Sequence, residues 1–247
     1  MNIGLLAALV LAGGGVFRIP PAAVPAAAPK PAATLAATTP AAGGPGAAPD
    51  LKTITGEVQR RYDAATDFRA RFSQTLTSAA LGRKTISSGE VAFKKPGRMR
   101  WDYQKPDKST YVTDGGVLWL YEPDDGQAFK QELKSSQLPA ALAFLTGKGE
   151  LANEFEISFG PQSPYGVGGD YVLSLSPRQP QPQVKSILFI VDPRTFDVRE
   201  SVITDSQGNV NDVVFADIKV NTRVPEATFH FSPPPGTRVI DTAKLGH

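Results

Sequence analysis

Gly89-Glu90-Val91-Ala92-Phe93-Lys94-Lys95-Pro96-Gly97-Arg98-Met99-Arg100-Trp101-Asp102-Tyr103 alternates in side-chain character on both sides of a Lys-Pro-Gly turn. Gly89, Val91, Phe93 and Lys95 share one face of the first half. Met99, Trp101 and Tyr103 share one face of the second, and Arg98, Arg100 and Asp102 share the other. A period of two around such a turn predicts an antiparallel hairpin. Paired strands must align their apolar faces, because a one-residue slip turns every side chain over. Val91, Phe93, Met99, Trp101 and Tyr103 are therefore expected inward together, with Arg98, Arg100 and Asp102 outward. Lys95 has the inward parity of Phe93. An ammonium beside Trp and Met needs acceptors, unless its flexible stem carries it out at the turn.

The same period extends in both directions. Upstream, Phe68, Ala70, Phe72 and Gln74 oppose Arg69, Arg71 and Ser73. Downstream, strand-like runs occur at 110–113, 117–121, 127–132, 155–159, 171–176, 184–192, 198–205, 210–221 and 229–231. Turns such as Asp114-Gly115-Gly116, Asp124-Asp125-Gly126 and Ser206-Gln207-Gly208-Asn209 punctuate them. About eleven strands at this spacing predict a mainly β domain on one strongly curved antiparallel sheet. Asp50 as N-cap, followed by Leu51, Ile54, Val58 and Tyr62 at helical spacing, predicts a helix of about three turns. Leu138, Ala141, Leu142 and Leu145 predict a second helix over 139–146, ended by Gly147. Two architectures accommodate these elements: helices laid over an open concave face, or a solid-cored β domain with decorating helices. Fold statistics alone favour the second.

Composition narrows the chemistry. The chain has 247 residues and no cysteine, which removes disulfides, thiol nucleophiles and thiolate zinc sites. Its two histidines, His230 and His247, leave little for imidazole acid–base or metal chemistry. Positions 50–247 hold 24 basic and 24 acidic residues, so the basic footprint that nucleic acid requires is lacking. No nucleophile elbow, P-loop or metalloprotease helix is present. The acidic turns at Asp124-Asp125 and Asp205 miss the spacing of an EF-hand. No catalytic residue, metal or cofactor is expected, and an apolar interior without chemistry points to binding. Residues 1–19 include the apolar run from Ile3 to Val16, which is too short to span a bilayer but fits the apolar region of a secretory signal. Residues 20–49 contain 13 Ala, 8 Pro and 3 Gly, a composition that neither forms a helix nor collapses and so predicts a linker. Residues 50–247 are expected to form the folded domain.

Phe68–Gln74, Gly89–Pro96, Met99–Asp107, Thr113–Pro123 and the close Phe229–Val239 together, in this order and spacing, resemble the LolA family of periplasmic lipoprotein carriers. The resemblance spans about Asp50 to Ala243. It implies an unclosed β-barrel with a lid of short helices over an apolar cavity, and so reverses the preference between the two architectures. The cavity would be lined by Phe72, Val91, Phe93, Met99, Trp101 and Tyr103, with Leu142 and Leu145 from the lid. It also implies a soluble periplasmic monomer that accepts acylated lipoproteins from an inner-membrane ABC transporter and delivers them to an outer-membrane receptor. The family places a basic residue, usually arginine, before the proline of the second-strand motif, where it latches the lid. Lys95 holds that position here, with its expected acceptors among the carbonyls of 138–146. The alternatives are other periplasmic lipid or lipopeptide binders. The related outer-membrane receptor is anchored through a cysteine that this sequence lacks. An envelope-stress sensor with a LolA-like domain would need a further domain, whereas this sequence ends just after the carrier-like close.

Overall fold

The computed structural model describes residues 49–133, 150–166, 168–179 and 184–244. The signal-like segment, nearly all of the Ala/Pro-rich stretch, and the expected helix over 139–146 with Leu142 and Leu145 lie outside the described residues.

The first helix, α1 (Leu51–Ala64), starts where the Asp50 carboxylate accepts the Thr53 N–H, which satisfies one of the free donors of the first turn. Its buried face is Ile54, Val58 and Tyr62, one residue per turn. The strands are β1 (Asp67–Thr77), β2 (Lys84–Lys94), β3 (Arg98–Lys105), β4 (Ser109–Thr113), β5 (Val117–Glu122) and β6 (Gln127–Glu132). After the short helix α2 (Leu151–Glu154) come β7 (Phe155–Phe159), β8 (Tyr171–Pro177), β9 (Ser186–Val191), β10 (Val198–Thr204), β11 (Val210–Val220) and β12 (Arg238–Asp241). All twelve form one sheet in the order β12-β6-β5-β4-β3-β2-β1-β11-β10-β9-β8-β7. Two meanders are thus joined through β1 and β11. Its two ends, β12 and β7, do not pair, so the sheet is an unclosed barrel.

The hairpin of β2 and β3 has the register that its alternation dictates: Phe93 opposite Met99, Val91 opposite Trp101 and Gly89 opposite Tyr103. The β1–β2 ladder places Phe68 against Phe93, Ala70 against Val91 and Phe72 against Gly89. Gly89 must lack a side chain, since a Cβ there would come within 1.9 Å of the Asp102 carbonyl oxygen and 3.0 Å of the Phe72 ring. The missing side chain lets the aromatic residues of β1 and β3 close over β2.

The end of the chain corrects two expectations. Residues 229–231 are not a strand: Glu226–Phe229 is a 310 turn capped by His230. The last strand is β12, which pairs with β6 in parallel, in a sheet otherwise antiparallel. Between β11 and β12 the chain crosses the outward face as a strap. Asp67 accepts from the Thr222 and Arg223 N–H groups and the Thr222 hydroxyl. Lys94 and Arg98 pair with Glu226, and Arg100 donates to the Thr228 carbonyl. Phe229 is buried with Ala92 and Val224, and Phe231 lies 5.5 Å from the Trp119 ring and 5.3 Å from Tyr121. The i, i+2 spacing of Phe229 and Phe231 therefore serves two separate patches of strand surface, which periodicity cannot distinguish from a ladder. Arg98, Arg100 and Asp102 do face outward, but beneath this strap.

Candidate functional site

The inward face carries two clusters of different chemistry. On β7–β9, α1 seals an aliphatic core: Ile54, Val58, Leu173, Leu175, Ile187 and Val191, with Phe155 and Phe189, are all at most 2% exposed. On β1–β5 and β11 the cluster is aromatic and centred on Trp101, and no helical residue belongs to it among the described residues. Trp101 has Phe72 at 4.7 Å and Phe93 at 6.1 Å edge-on, Tyr103 at 6.4 Å stacked, and Phe215 at 6.1 Å. These are the separations of interacting rings.

Six of the sequence-selected positions meet in this cluster. Phe72, Val91, Phe93, Met99 and Trp101 are buried within it, and Tyr103 packs partly buried at its margin. Tyr111, Leu118, Leu120, Val213 and Phe215 belong to the same cluster. Sequence reading placed these in strands without assigning them a face, although the parity of β4, β5 and β11 contained the signal. One edge of the cluster is polar. The Tyr103 hydroxyl donates to Gln74 Oε1 at 2.9 Å, and Gln74 Nε2 donates to Asn211 Oδ1 at 2.9 Å. Burial raises the pKa of Tyr103 and of Tyr111, so both phenols stay protonated and neutral. In contrast, Trp101 Nε1 is buried without a hydrogen-bond partner among the described residues.

Lys95 leaves β2 with inward parity and turns over the end of α1. Its Nζ donates to the carbonyls of Tyr62 at 2.6 Å and Asp63 at 3.1 Å. The expected acceptors in 138–146 lie outside the described residues; the two acceptors observed belong to α1. The physical reason is the carbonyl end of α1, which carries the negative end of the helix dipole and attracts a cation; the Tyr62 carbonyl accepts the Ala65 N–H as well as the Lys95 ammonium. Arg61, in the same turn, makes a two-point pair with Asp197 at 2.7 and 3.1 Å. The Tyr62 hydroxyl accepts the Val198 N–H. Between these contacts a cleft edged by Tyr62, Phe68, Phe93, Lys95 and Val220 has room for about 10 Å³, roughly one water. The aromatic face is thus filled by its own rings and shut at one end by α1.

Among the described residues no group of three or more His, Asp or Glu side chains could hold a metal ion. Asp205 closes the β10–β11 turn by accepting the Gln207 and Asn209 N–H groups. His230 caps the 310 turn of the strap.

Comparison with known proteins places this geometry. The sequence profile described as "Outer membrane lipoprotein carrier protein LolA" matches residues 63–232. An outer-membrane lipoprotein carrier protein of Chromobacterium violaceum is 28% identical over 195 residues, covering 78% of this chain and 90% of that one. One of Nitrosomonas europaea is 30% identical over 194 residues, covering 78% and 88%. In structure, an uncharacterized conserved protein from Thermus thermophilus is similar with a TM-score of 0.50 at 13% identity, over 77% of this chain and 98% of that one, a likeness of fold alone.

Proposed function

The chain belongs to the LolA family of outer-membrane lipoprotein carriers, and from that premise we propose that it binds the acyl chains of lipoproteins on the aromatic inward face of β1–β5 and β11 and carries them through the periplasm. The observation that supports this site is the contrast between the two clusters. The aliphatic half is sealed by α1 and needs no occupant. Among the described residues the aromatic half is an apolar surface whose rings pack on one another with no helix over them. An acyl chain gains about 0.8 kcal/mol per methylene removed from water. The rings must part to admit it, so the ligand competes with the closed packing for one surface, and closure favours release. A carrier of this kind needs shielding and reversibility, not bond chemistry.

Lys95 is the latch in this reading. Its two bonds tie α1 to the end of β2, and opening the aromatic face breaks them. The cargo would come from an inner-membrane ABC transporter and pass to an outer-membrane acceptor. Among the described residues no helix is long and apolar enough to cross a membrane. Mass spectrometry of protein purified from the periplasm tests the reading. Acylated lipoproteins should co-purify in stoichiometric amounts, and their absence from wild type and from Lys95→Leu alike would refute it.

A further inference from the structure

We infer that Trp101 Nε1–H is the polar anchor of the acyl site, and that it recognises the ester carbonyl that joins an acyl chain to its glycerol. The inference rests on the proposed acyl site and assigns it a chemical selectivity. Trp101 is 2% exposed, and its indole N–H is buried without a hydrogen-bond partner among the described residues. Buried donors are nearly always satisfied, because leaving one unmade forfeits its hydration with no return. Here the nearby polar group is already engaged, as Tyr103 donates its own hydroxyl to Gln74. Trp101 is not among the residues that line the cleft at α1. The edge-on Phe72 ring, 4.7 Å away, offers at most a weak N–H to π contact.

The donor therefore stands in the middle of an otherwise apolar surface, unused in the closed state. Indole is donor-only, so its partner must be an acceptor. A saturated chain has none. The ester at the head of each chain of a diacylglycerol has a carbonyl, attached to the apolar tail that the surrounding rings would take. A single directional donor on a large apolar surface is the usual means by which an apolar pocket fixes a ligand's depth. When the rings part, satisfying Nε1 is a gain available only to a loaded protein, and it offsets part of the closed packing that is lost.

The test uses the full chain and two synthetic peptides with a free amino terminus, one bearing S-diacylglyceryl-cysteine and the other its dialkyl ether counterpart of equal chain length. The wild type should bind the diester about tenfold more tightly, or about 1.4 kcal/mol. Trp101→Phe keeps an aromatic ring but removes the donor. Because the smaller ring leaves a cavity, its melting temperature falls whatever the role of the indole, so the readout is the diester-to-diether affinity ratio of the folded protein, which should drop from about ten to about one. A merely structural role would weaken both ligands alike and leave that ratio unchanged. Equal binding of diester and diether by wild type overturns the inference, leaves the carrier function standing, and needs no variant to fold. Binding of neither peptide overturns the acyl site itself.

Discussion

The two halves of one sheet's inward face use apolar side chains in opposite ways. Under α1, branched aliphatic groups with Phe155 and Phe189 fill the space between helix and strands. The polar groups at the border are engaged, the Tyr62 hydroxyl by Val198 and the Gln59 side chain by the Leu151 N–H. Around Trp101 the same strand alternation presents rings that, among the described residues, meet mainly one another, with one donor unpartnered there. Interdigitated aliphatics lose their contacts when separated, and the cost grows with the cavity left behind. On the proposed reading, an acyl chain replaces the ring contacts that parting breaks, so part of that loss is recovered in the loaded protein. The difference teaches that burial alone does not separate core from binding surface. On the proposed reading, what separates them is whether a helix supplies the contact, as α1 does on one half alone among the described residues.

The largest effect is expected on the sealed side. Leu175→Ala removes a fully buried side chain from beneath α1 and should cost about 2–5 kcal/mol. For a chain of this size that lowers the melting temperature by roughly 5–15 °C. Lipoprotein capture by the protein that remains folded should not change. Calorimetry with a capture assay below the transition checks both, and a loss of affinity in the folded fraction would merge the two halves.

Lys95→Leu acts at their border. It removes the bonds to the Tyr62 and Asp63 carbonyls, of a charge-assisted kind worth about 1.5–3 kcal/mol, and adds apolar surface beside Phe93. Transfer to acceptor vesicles should fall at least about tenfold while a loaded complex accumulates. Lys95→Arg should stay active, since a guanidinium also reaches two carbonyls. Transfer by Lys95→Leu at the wild-type rate would show that α1 is not part of the gate.

The outward face should respond in stability alone. Asp67 is buried, which by itself raises its pKa. Bonds from the Thr222 hydroxyl and from the Thr222, Arg223 and Val224 N–H groups outweigh that and hold it below the ordinary carboxylate range. A lowered folded pKa stabilises the protein above the unfolded value and ceases to do so as pH falls through the folded one. Asp67→Asn should therefore lose about 1–3 kcal/mol at pH 7 and much less near pH 2, as followed by denaturant titration at each pH.

Glu200 behaves oppositely. Burial, then repulsion from Asp212, pushes its pKa up to about 7. A raised carboxyl pKa is stabilising while the group is protonated, and that contribution fades as pH rises from the unfolded value of about 4.3 towards 7. Glu200→Gln should raise the melting temperature by about 1–3 °C at pH 8, an effect reduced by the partial exposure of the pair, and leave it unchanged at pH 5. Cargo capture should be unaffected by either outward change.

Much of this was legible in sequence because alternation is a local property. Phe72, Val91, Phe93, Met99 and Trp101 need only their own strands and one turn to be assigned a face, and the N-cap at Asp50 is fixed by its own first turn. What escaped depends on contacts between distant segments. The strap spaces Phe229 and Phe231 like a strand, yet its partners are side chains on β2 and β5. The parallel pairing of β12 with β6 follows from the path of that strap and leaves no mark in the four residues that pair. Parity and charge give Lys95 an inward position that needs acceptors or an escape at the turn, and the family resemblance implies backbone carbonyls as those acceptors. Which helix end supplies them is a matter of packing.

The central claim, that cargo lies on the ring-lined half of the inward face, is tested most directly by photo-crosslinking at two adjacent positions. Phe72 is buried in the aromatic cluster, and Ser73 is exposed on the opposite face of β1, clear of the bonds that hold the strap. A photoreactive residue at 72 should capture acylated lipoprotein in the periplasm, and one at 73 should capture none. Equal capture at both positions, or capture at 73 alone, would contradict the account.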